Sequence, residues 1–121
     1  MGLKILTVDD SKTMRDMISF TLQKAGHDVL EAEDGTDALA KLGSQVVDLI
    51  ITDINMPKMD GITLCKRLRV QPTFSNIPIL ILTTESDQAK KDEGRVAGAT
   101  GWIVKPFSPE RLLQVISKVC P

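Results

Sequence analysis

The chain has little of several residue types on which whole classes of protein depend. Its 121 residues include two cysteines, one histidine, three phenylalanines and one tryptophan. Cys65 and Cys120 are too few for a disulfide framework or a zinc cluster, and they fit a reducing compartment. The few aromatic residues, with no glycine-rich phosphate loop after the first apolar run, argue against a flavin site.

The chain also lacks an excess of charge of one sign and any long hydrophobic run. Fifteen basic and 16 acidic residues give a net charge of −1, so no basic surface for nucleic acid or acidic lipid is expected. No apolar run is long enough for a bilayer, and the first residues do not resemble a signal peptide. We therefore expect a cytoplasmic protein with one domain over residues 1–121, no output domain, and no binding to nucleic acid or membrane.

Short runs of Ile, Leu and Val recur along the chain between amphipathic stretches. They are continuous rather than alternating, which is typical of parallel strands covered by helices on both faces. The intervals between them are long enough for crossover helices. The sequence therefore predicts an α/β fold of five βα units, with apolar runs at residues 5–8, 29–30, 49–52, 79–82 and 102–104.

Capping residues at the start of each interval but the fourth support this count of helices. The fourth interval, residues 86–98, is mostly polar and contains Gly94, which costs about 1 kcal/mol relative to Ala inside a helix. We therefore expect the fourth helix to be weak or mobile. The predicted starts of the other helices are Ser11, Asp34, Asp60 or Gly61, and Ser108 followed by Pro109.

Polar side chains follow four of the predicted strands, and the carboxyl ends of parallel strands meet at one edge of a sheet. Each residue alone has an ordinary interpretation: helix capping for the first aspartates, a turn for the loop after the third strand, a solvated lysine for the last. Together they predict a ligand site. The residues are Asp9, Asp10, Asp53, Thr83, Thr84 and Lys105.

Three aspartates brought to one edge repel one another unless a cation lies among them. Carboxylate oxygens suit Mg²⁺, which uses one or two carboxylates and leaves positions for a phosphoryl oxygen. Asp10 and Asp53 are the candidate ligands, and Lys105 and Thr83 are placed to meet the remaining phosphoryl oxygens.

These motifs resemble those of the response-regulator receiver domains, and most closely those of single-domain chemotaxis regulators in that family. The resemblance extends over essentially the whole chain. It implies a flavodoxin-like doubly wound (βα)5 sandwich with a five-stranded parallel sheet of order 2-1-3-4-5. The motifs that carry it are Asp9-Asp10-Ser11, residues 52–61 (TDINMPKMDG), Leu82-Thr83 and Lys105-Pro106-Phe107.

The resemblance implies a role for each motif residue. Asp53 would be the phosphoacceptor of a histidine kinase, Lys105 would pair with the phosphoryl group, and the Thr83 hydroxyl would move to bond it. The chain would regulate by binding and catalyse only its own phosphorylation and dephosphorylation. The implied Mg²⁺ ligands are Asp10, Asp53 and the main-chain carbonyl of Asn55, with Asp9 assisting through water.

Other positions bear on the conformational switch and on the lifetime of the acyl phosphate. Trp102 stands where the family's switch aromatic is usually Tyr or Phe, and Thr84 stands where a smaller residue is common. Pro106 resembles the family's cis-proline. Asn55 and Glu85 occupy the positions that tune hydrolysis of the acyl phosphate, so we expect a phosphoryl lifetime of seconds rather than hours.

The leading hypothesis is a monomeric receiver that binds the flagellar motor switch, or another target, through its fourth helix, fifth strand and fifth helix. The alternative within this fold is a phosphate sink or phosphorelay intermediate that does not bind the motor. A phosphatase of the haloacid-dehalogenase type would need a second Asp two residues after the nucleophile, where this chain has Asn55. A flavodoxin-like cofactor binder or a degenerate receiver used only for interaction completes the alternatives.

Overall fold

A computed structural model describes residues 2–43, 45–84 and 88–120 of the chain. Strands and helices alternate through the described residues, as the sequence predicts. A short 3₁₀ helix, Pro72–Phe74, follows the third α-helix and was not predicted. The elements in chain order are β1 (Lys4–Val8), α1 (Lys12–Lys24), β2 (Asp28–Ala32), α2 (Gly35–Leu42), β3 (Leu49–Asp53), α3 (Gly61–Arg69), β4 (Ile79–Thr83), α4 (Gln88–Ala97), β5 (Gly101–Val104) and α5 (Pro109–Val119).

The five strands form one parallel sheet of order β2-β1-β3-β4-β5, which confirms the predicted α/β fold and strand order. β3 and β4 are buried along their whole length, because they lie in the middle of the sheet with helices on both faces. β2 and β5 are the edge strands. The order reverses between β1 and β3, and ligands of open α/β sheets bind outside the carboxyl ends of the strands at such a point.

Alternate side chains of the strands belong to two hydrophobic clusters, one on each face of the sheet. The first cluster joins β1, β3 and β4 to α2, α3 and the end of α4. The second joins the opposite side chains of the same strands, and β5, to α1 and α5. Its members include Ile18 and Leu22 from α1 and Leu112 and Ile116 from α5.

The predicted helix caps are confirmed, and Asp60 rather than Gly61 caps α3. The Ser11 hydroxyl accepts a hydrogen bond from the N–H of Met14 at the start of α1. The helical spacing of Met14, Met17, Ile18, Leu22 and Ala25 predicts that these residues form the buried face of α1. That prediction is partly wrong, because Met17 is 41% exposed while Ser19 is buried. The other three caps are the side chains of Asp34, Asp60 and Ser108, each accepting from a backbone N–H three residues later.

None of the helices among residues 2–43, 45–84 and 88–120 is both long enough and apolar enough to cross a lipid bilayer.

Candidate functional site

The carboxyl ends of four strands bring the predicted site residues to one edge of the sheet. Asp53 is the last residue of β3 and Thr83 the last residue of β4. Asp9 directly follows β1, and Lys105 directly follows β5. Because all strands run in the same direction, these residues lie at a single edge of the sheet, which we call the cleft.

Three carboxylates form an acidic cluster in this cleft. One oxygen from each of Asp9, Asp10 and Asp53 lies within 4.8 Å of the others. Asp9 and Asp53 are buried, with 1% and 7% of their surface exposed, whereas Asp10 is exposed. Hard oxygen donors grouped so closely, one of them open to solvent, fit Mg²⁺, which keeps several waters when it binds proteins. The residues present therefore suit the metal that the sequence predicts.

Lys105 reaches across the sheet from β5 to this cluster. Its ammonium lies 3.1 Å from Oδ1 of Asp53 and 3.5 Å from Oδ2 of Asp9. In the part of the chain that the structure describes, no other cationic side chain forms an ion pair with the three carboxylates. The cluster thus has more negative charge than Lys105 neutralises, which favours binding of a further cation. The Lys105–Pro106 peptide bond is cis, the isomer that the resemblance implies.

The burial of Asp53 affects its ionisation. Loss of solvent raises the pKa of Asp53 above its ordinary value, and the neighbouring Asp9 carboxylate raises it further. The Lys105 ammonium opposes both effects, and a hydrogen bond from the Ile54 N–H also lowers the pKa. Only the carboxylate form is nucleophilic, so Lys105 and any cation among the aspartates help to keep Asp53 reactive.

The backbone around Asp53 is held closely. The N–H of Ile54 donates to Asp53 Oδ1 at 2.9 Å. The N–H of Gly61 donates to the Ile54 carbonyl at 2.9 Å, which closes the loop between β3 and α3. A Cβ on Gly61 would collide with the Asp53 carbonyl oxygen, so this close approach of α3 to the end of β3 requires glycine.

The structure describes three of the remaining predicted site residues, Thr83, Asn55 and Thr84, but not Glu85. Thr83 is buried at the end of β4, next to Leu82, which pairs with Asp53 in the sheet. Asn55 lies in the exposed loop two residues after Asp53, and Thr84 is exposed after β4. Glu85, predicted to tune hydrolysis, lies outside the described residues.

Trp102, the predicted switch aromatic, is half-buried on β5 and packs with the first hydrophobic cluster. Its indole lies against α4 at Gly94, where a Cβ would meet Cζ2 of the ring and would lie 2.9 Å from Cη2. The glycine that suggested a weak helix in the sequence is therefore the residue that makes room for the ring.

Two contacts beside the site were not predicted. Arg15 donates from Nη1 to the Asp9 carbonyl at 2.6 Å, and the Lys58 ammonium lies 3.8 Å from the buried carboxylate of Asp34. The first turn of α1 has no acidic residue, and nothing in the sequence pattern indicates that Arg15 contacts Asp9. Lys58 has a positive φ of 68°, which the sequence does not indicate.

Comparisons with known proteins agree with this geometry. The model of the response regulator receiver domain family matches residues 5–117. Chemotaxis protein CheY1 of Helicobacter pylori is 44% identical over 119 residues, which cover 97% of this chain and 96% of CheY1. Protein PilG of Pseudomonas aeruginosa is 38% identical over 120 residues, covering 99% and 89% of the two chains. The solved structure of chemotaxis response regulator CheY4 of Vibrio cholerae has a TM-score of 0.94 and 50% identity, covering 98% of this chain and 99% of CheY4.

Proposed function

The chain belongs to the response regulator receiver domain family, and we propose that it receives a phosphoryl group on Asp53 from a chemotaxis-type histidine kinase. The observation that carries this proposal is the contact of Lys105 with Asp53 inside a cluster of three carboxylates. Its relatives include chemotaxis proteins, so we assign the chain to two-component signalling as a regulator rather than an enzyme in the usual sense.

In the proposed reaction, a carboxylate oxygen of Asp53 attacks the phosphorus atom of a phosphohistidine. The phosphorus–oxygen bond forms as the phosphorus–nitrogen bond breaks, and the electron pair of the broken bond stays on the imidazole nitrogen. Lys105, 3.1 Å from Asp53, is placed to pair with the negative oxygens of the transferring group. Positioning and charge neutralisation are the main requirements of phosphoryl transfer, and this cleft supplies both.

Receiver domains bind Mg²⁺ in an acidic pocket, and the clustered aspartates are the residues that would hold it here. We assign the ligands to Asp10, Asp53 and the main-chain carbonyl of Asn55, with Asp9 acting through water. Bound Mg²⁺ supplies positive charge that neutralises the phosphoryl oxygens and orients them. Asn55 and Glu85 then set the rate at which water hydrolyses the acyl phosphate, with a lifetime of seconds expected.

We propose that Thr83 and Trp102 transmit the conformational effect of phosphorylation to the target-binding surface. The Thr83 hydroxyl, at the end of β4, would bond the phosphoryl group, and the indole that packs on α4 would respond. The target would bind the surface formed by α4, β5 and α5, and the flagellar motor switch is the proposed target. We propose that the receiver acts as a monomer in the cytoplasm.

A phosphate sink or phosphorelay intermediate is the second candidate. The residue type at position 102 favours it, because the indole that packs against α4 at Gly94 stands where the family resemblance implies Tyr or Phe as the switch aromatic. The two candidates predict the same phosphorylation and different partners. Binding of the phosphorylated chain to purified motor-switch protein supports the first, and phosphoryl exchange with the kinase without such binding supports the second.

The phosphoacceptor assignment can be tested with a small phosphodonor. Wild type incubated with acetyl phosphate and Mg²⁺ should gain the mass of one phosphoryl group, measured by intact-mass spectrometry. Asp53→Asn should gain none, because an amide is not a nucleophile at this site. Asp28→Asn, an exposed position at the start of β2, is the matched control and should react as wild type does. Equal labelling of Asp53→Asn would overturn the proposal.

A further inference from the structure

Four contacts hold Asp9 in place beside the acidic cluster. Its N–H donates to the carbonyl of Ala32 at 3.1 Å, and its Oδ1 accepts from the N–H of Ser11 at 2.9 Å. Its Oδ2 lies 3.5 Å from the Lys105 ammonium. The fourth contact is charged: Nη1 of Arg15 donates to the Asp9 carbonyl oxygen at 2.6 Å.

The Asp9 carbonyl belongs to the peptide group that joins Asp9 to Asp10. Because the peptide group is planar, the orientation of this carbonyl fixes the direction in which the Asp10 Cα lies. Asp10 is exposed, and within the described ranges its carboxylate accepts no hydrogen bond from the protein. Its place in the acidic cluster therefore depends on the backbone, and Arg15 holds that backbone.

Arg15 is itself fixed by further contacts. Its side chain is only 16% exposed, and its Nε lies 3.4 Å from a carboxylate oxygen of Glu31. The Lys41 ammonium donates to the Glu31 main-chain carbonyl at 2.8 Å, which ties β2 to α2. A cation near the first turn of α1 is unfavourable for the helix dipole, so the contacts with Asp9 and Glu31 offset a local cost.

We infer that Arg15 is a positioning residue for the magnesium site, acting through the Asp9–Asp10 peptide. This inference rests on the proposed function, because it assumes that Asp10 is a metal ligand. The inference predicts that removal of Arg15 weakens Mg²⁺ binding, which is the opposite of what a simple charge effect predicts. Removing a positive charge near a cation site strengthens cation binding by Coulomb's law, whereas losing the position of a ligand weakens it.

The test measures Mg²⁺ affinity by isothermal titration calorimetry, with the free energy of unfolding of each variant measured separately in EDTA. We expect Arg15→Ala to raise the Mg²⁺ Kd about tenfold, the usual scale for loss of a group that orients a metal ligand. Arg15→Lys keeps a cation that can donate to the Asp9 carbonyl but cannot also match the Glu31 contact, so a smaller increase is expected.

Arg69 offers a matched control at a distance from the cleft. Its guanidinium donates to the carbonyls of Gly98, Phe74 and Ile77, so it also holds backbone by charged hydrogen bonds. Arg69→Ala should lower the free energy of unfolding and leave the Mg²⁺ Kd within about twofold of wild type. An equal loss of affinity in Arg69→Ala would show a general effect of stability and would overturn the inference.

The outcomes separate this inference from the function on which it rests. If wild type does not bind Mg²⁺, both the proposed function and the role of Arg15 are wrong. If wild type binds Mg²⁺ and Arg15→Ala binds it as tightly or more tightly, only the role of Arg15 is wrong. If Arg15→Ala does not fold, Arg15→Lys serves as the test variant. A Mg²⁺ Kd of Arg15→Lys equal to that of wild type would overturn the inference.

Discussion

The helices before and after β5, α4 and α5, differ in what they bury. α5 places Leu112, Val115 and Ile116 in the second hydrophobic cluster. The buried residues of α4 are Gly94 and Ala97, with Val96 86% exposed. Since apolar burial is the main favourable term in holding a helix to a sheet, α5 is anchored firmly and α4 weakly.

This difference has a consequence for signalling. α4 is the helix that follows Thr83, the residue proposed to bond the phosphoryl group. An element with few buried aliphatic side chains changes position at low energetic cost, so a modest change at the site can shift its population. The proposed switch thus acts on the helix that buries less apolar surface of the two.

The largest expected effect of a substitution in this comparison is on α5. Leu112 is fully buried, and Leu112→Ala removes side-chain packing and leaves a cavity. We expect the free energy of unfolding to fall by about 2–5 kcal/mol, measured by urea denaturation. A loss under about 1 kcal/mol would show that α5 is not the firmly anchored helix that its burial suggests.

A smaller effect is expected at Gly94, where two terms oppose each other. Alanine gains about 1 kcal/mol of helix propensity, but its Cβ collides with the Trp102 ring, and overpacking costs about 1–3 kcal/mol. We therefore expect Gly94→Ala to destabilise the protein by about 1 kcal/mol and to change Trp102 fluorescence.

The double variant sharpens this prediction. With Trp102→Phe the ring is smaller, so adding Gly94→Ala in that background should cost less or become stabilising, and the double-mutant cycle reports the coupling. Independent, additive effects of the two substitutions would contradict the packing of the indole on α4.

The smallest effect is expected at the exposed surface of α4. Val96 loses little contact when shortened, so Val96→Ala should change the free energy of unfolding by less than about 0.5 kcal/mol. It is the α4 counterpart of Leu112→Ala under the same denaturation conditions. A loss comparable to that of Leu112→Ala would remove the difference between the two helices.

The sequence predicted two kinds of feature, the helix caps and the acidic cluster at the ends of the strands. Ser11, Asp34 and Asp60 cap helices because their side chains reach a backbone N–H three residues ahead. The acidic cluster followed from the rule that parallel strands end at one edge, to which the family resemblance added the roles of Asp53 and Lys105.

The features that the sequence did not predict depend on tertiary contacts. Arg15 bonds the Asp9 carbonyl, and Gly94 accommodates the Trp102 ring, and neither contact follows from helical or strand periodicity. The burial of Ser19 in place of Met17 reflects how α1 is rotated against the sheet, which side-chain hydrophobicity alone did not fix.

The central claim is that Asp53 is the residue that becomes phosphorylated, and residue-level trapping tests it most directly. Borohydride reduces an aspartyl phosphate to homoserine, which peptide mass spectrometry locates in the chain. After reaction with acetyl phosphate, we expect the modification at Asp53 when Mg²⁺ is present and little of it in EDTA. Modification at Asp9 or Asp10, or equal modification with and without Mg²⁺, would contradict the account.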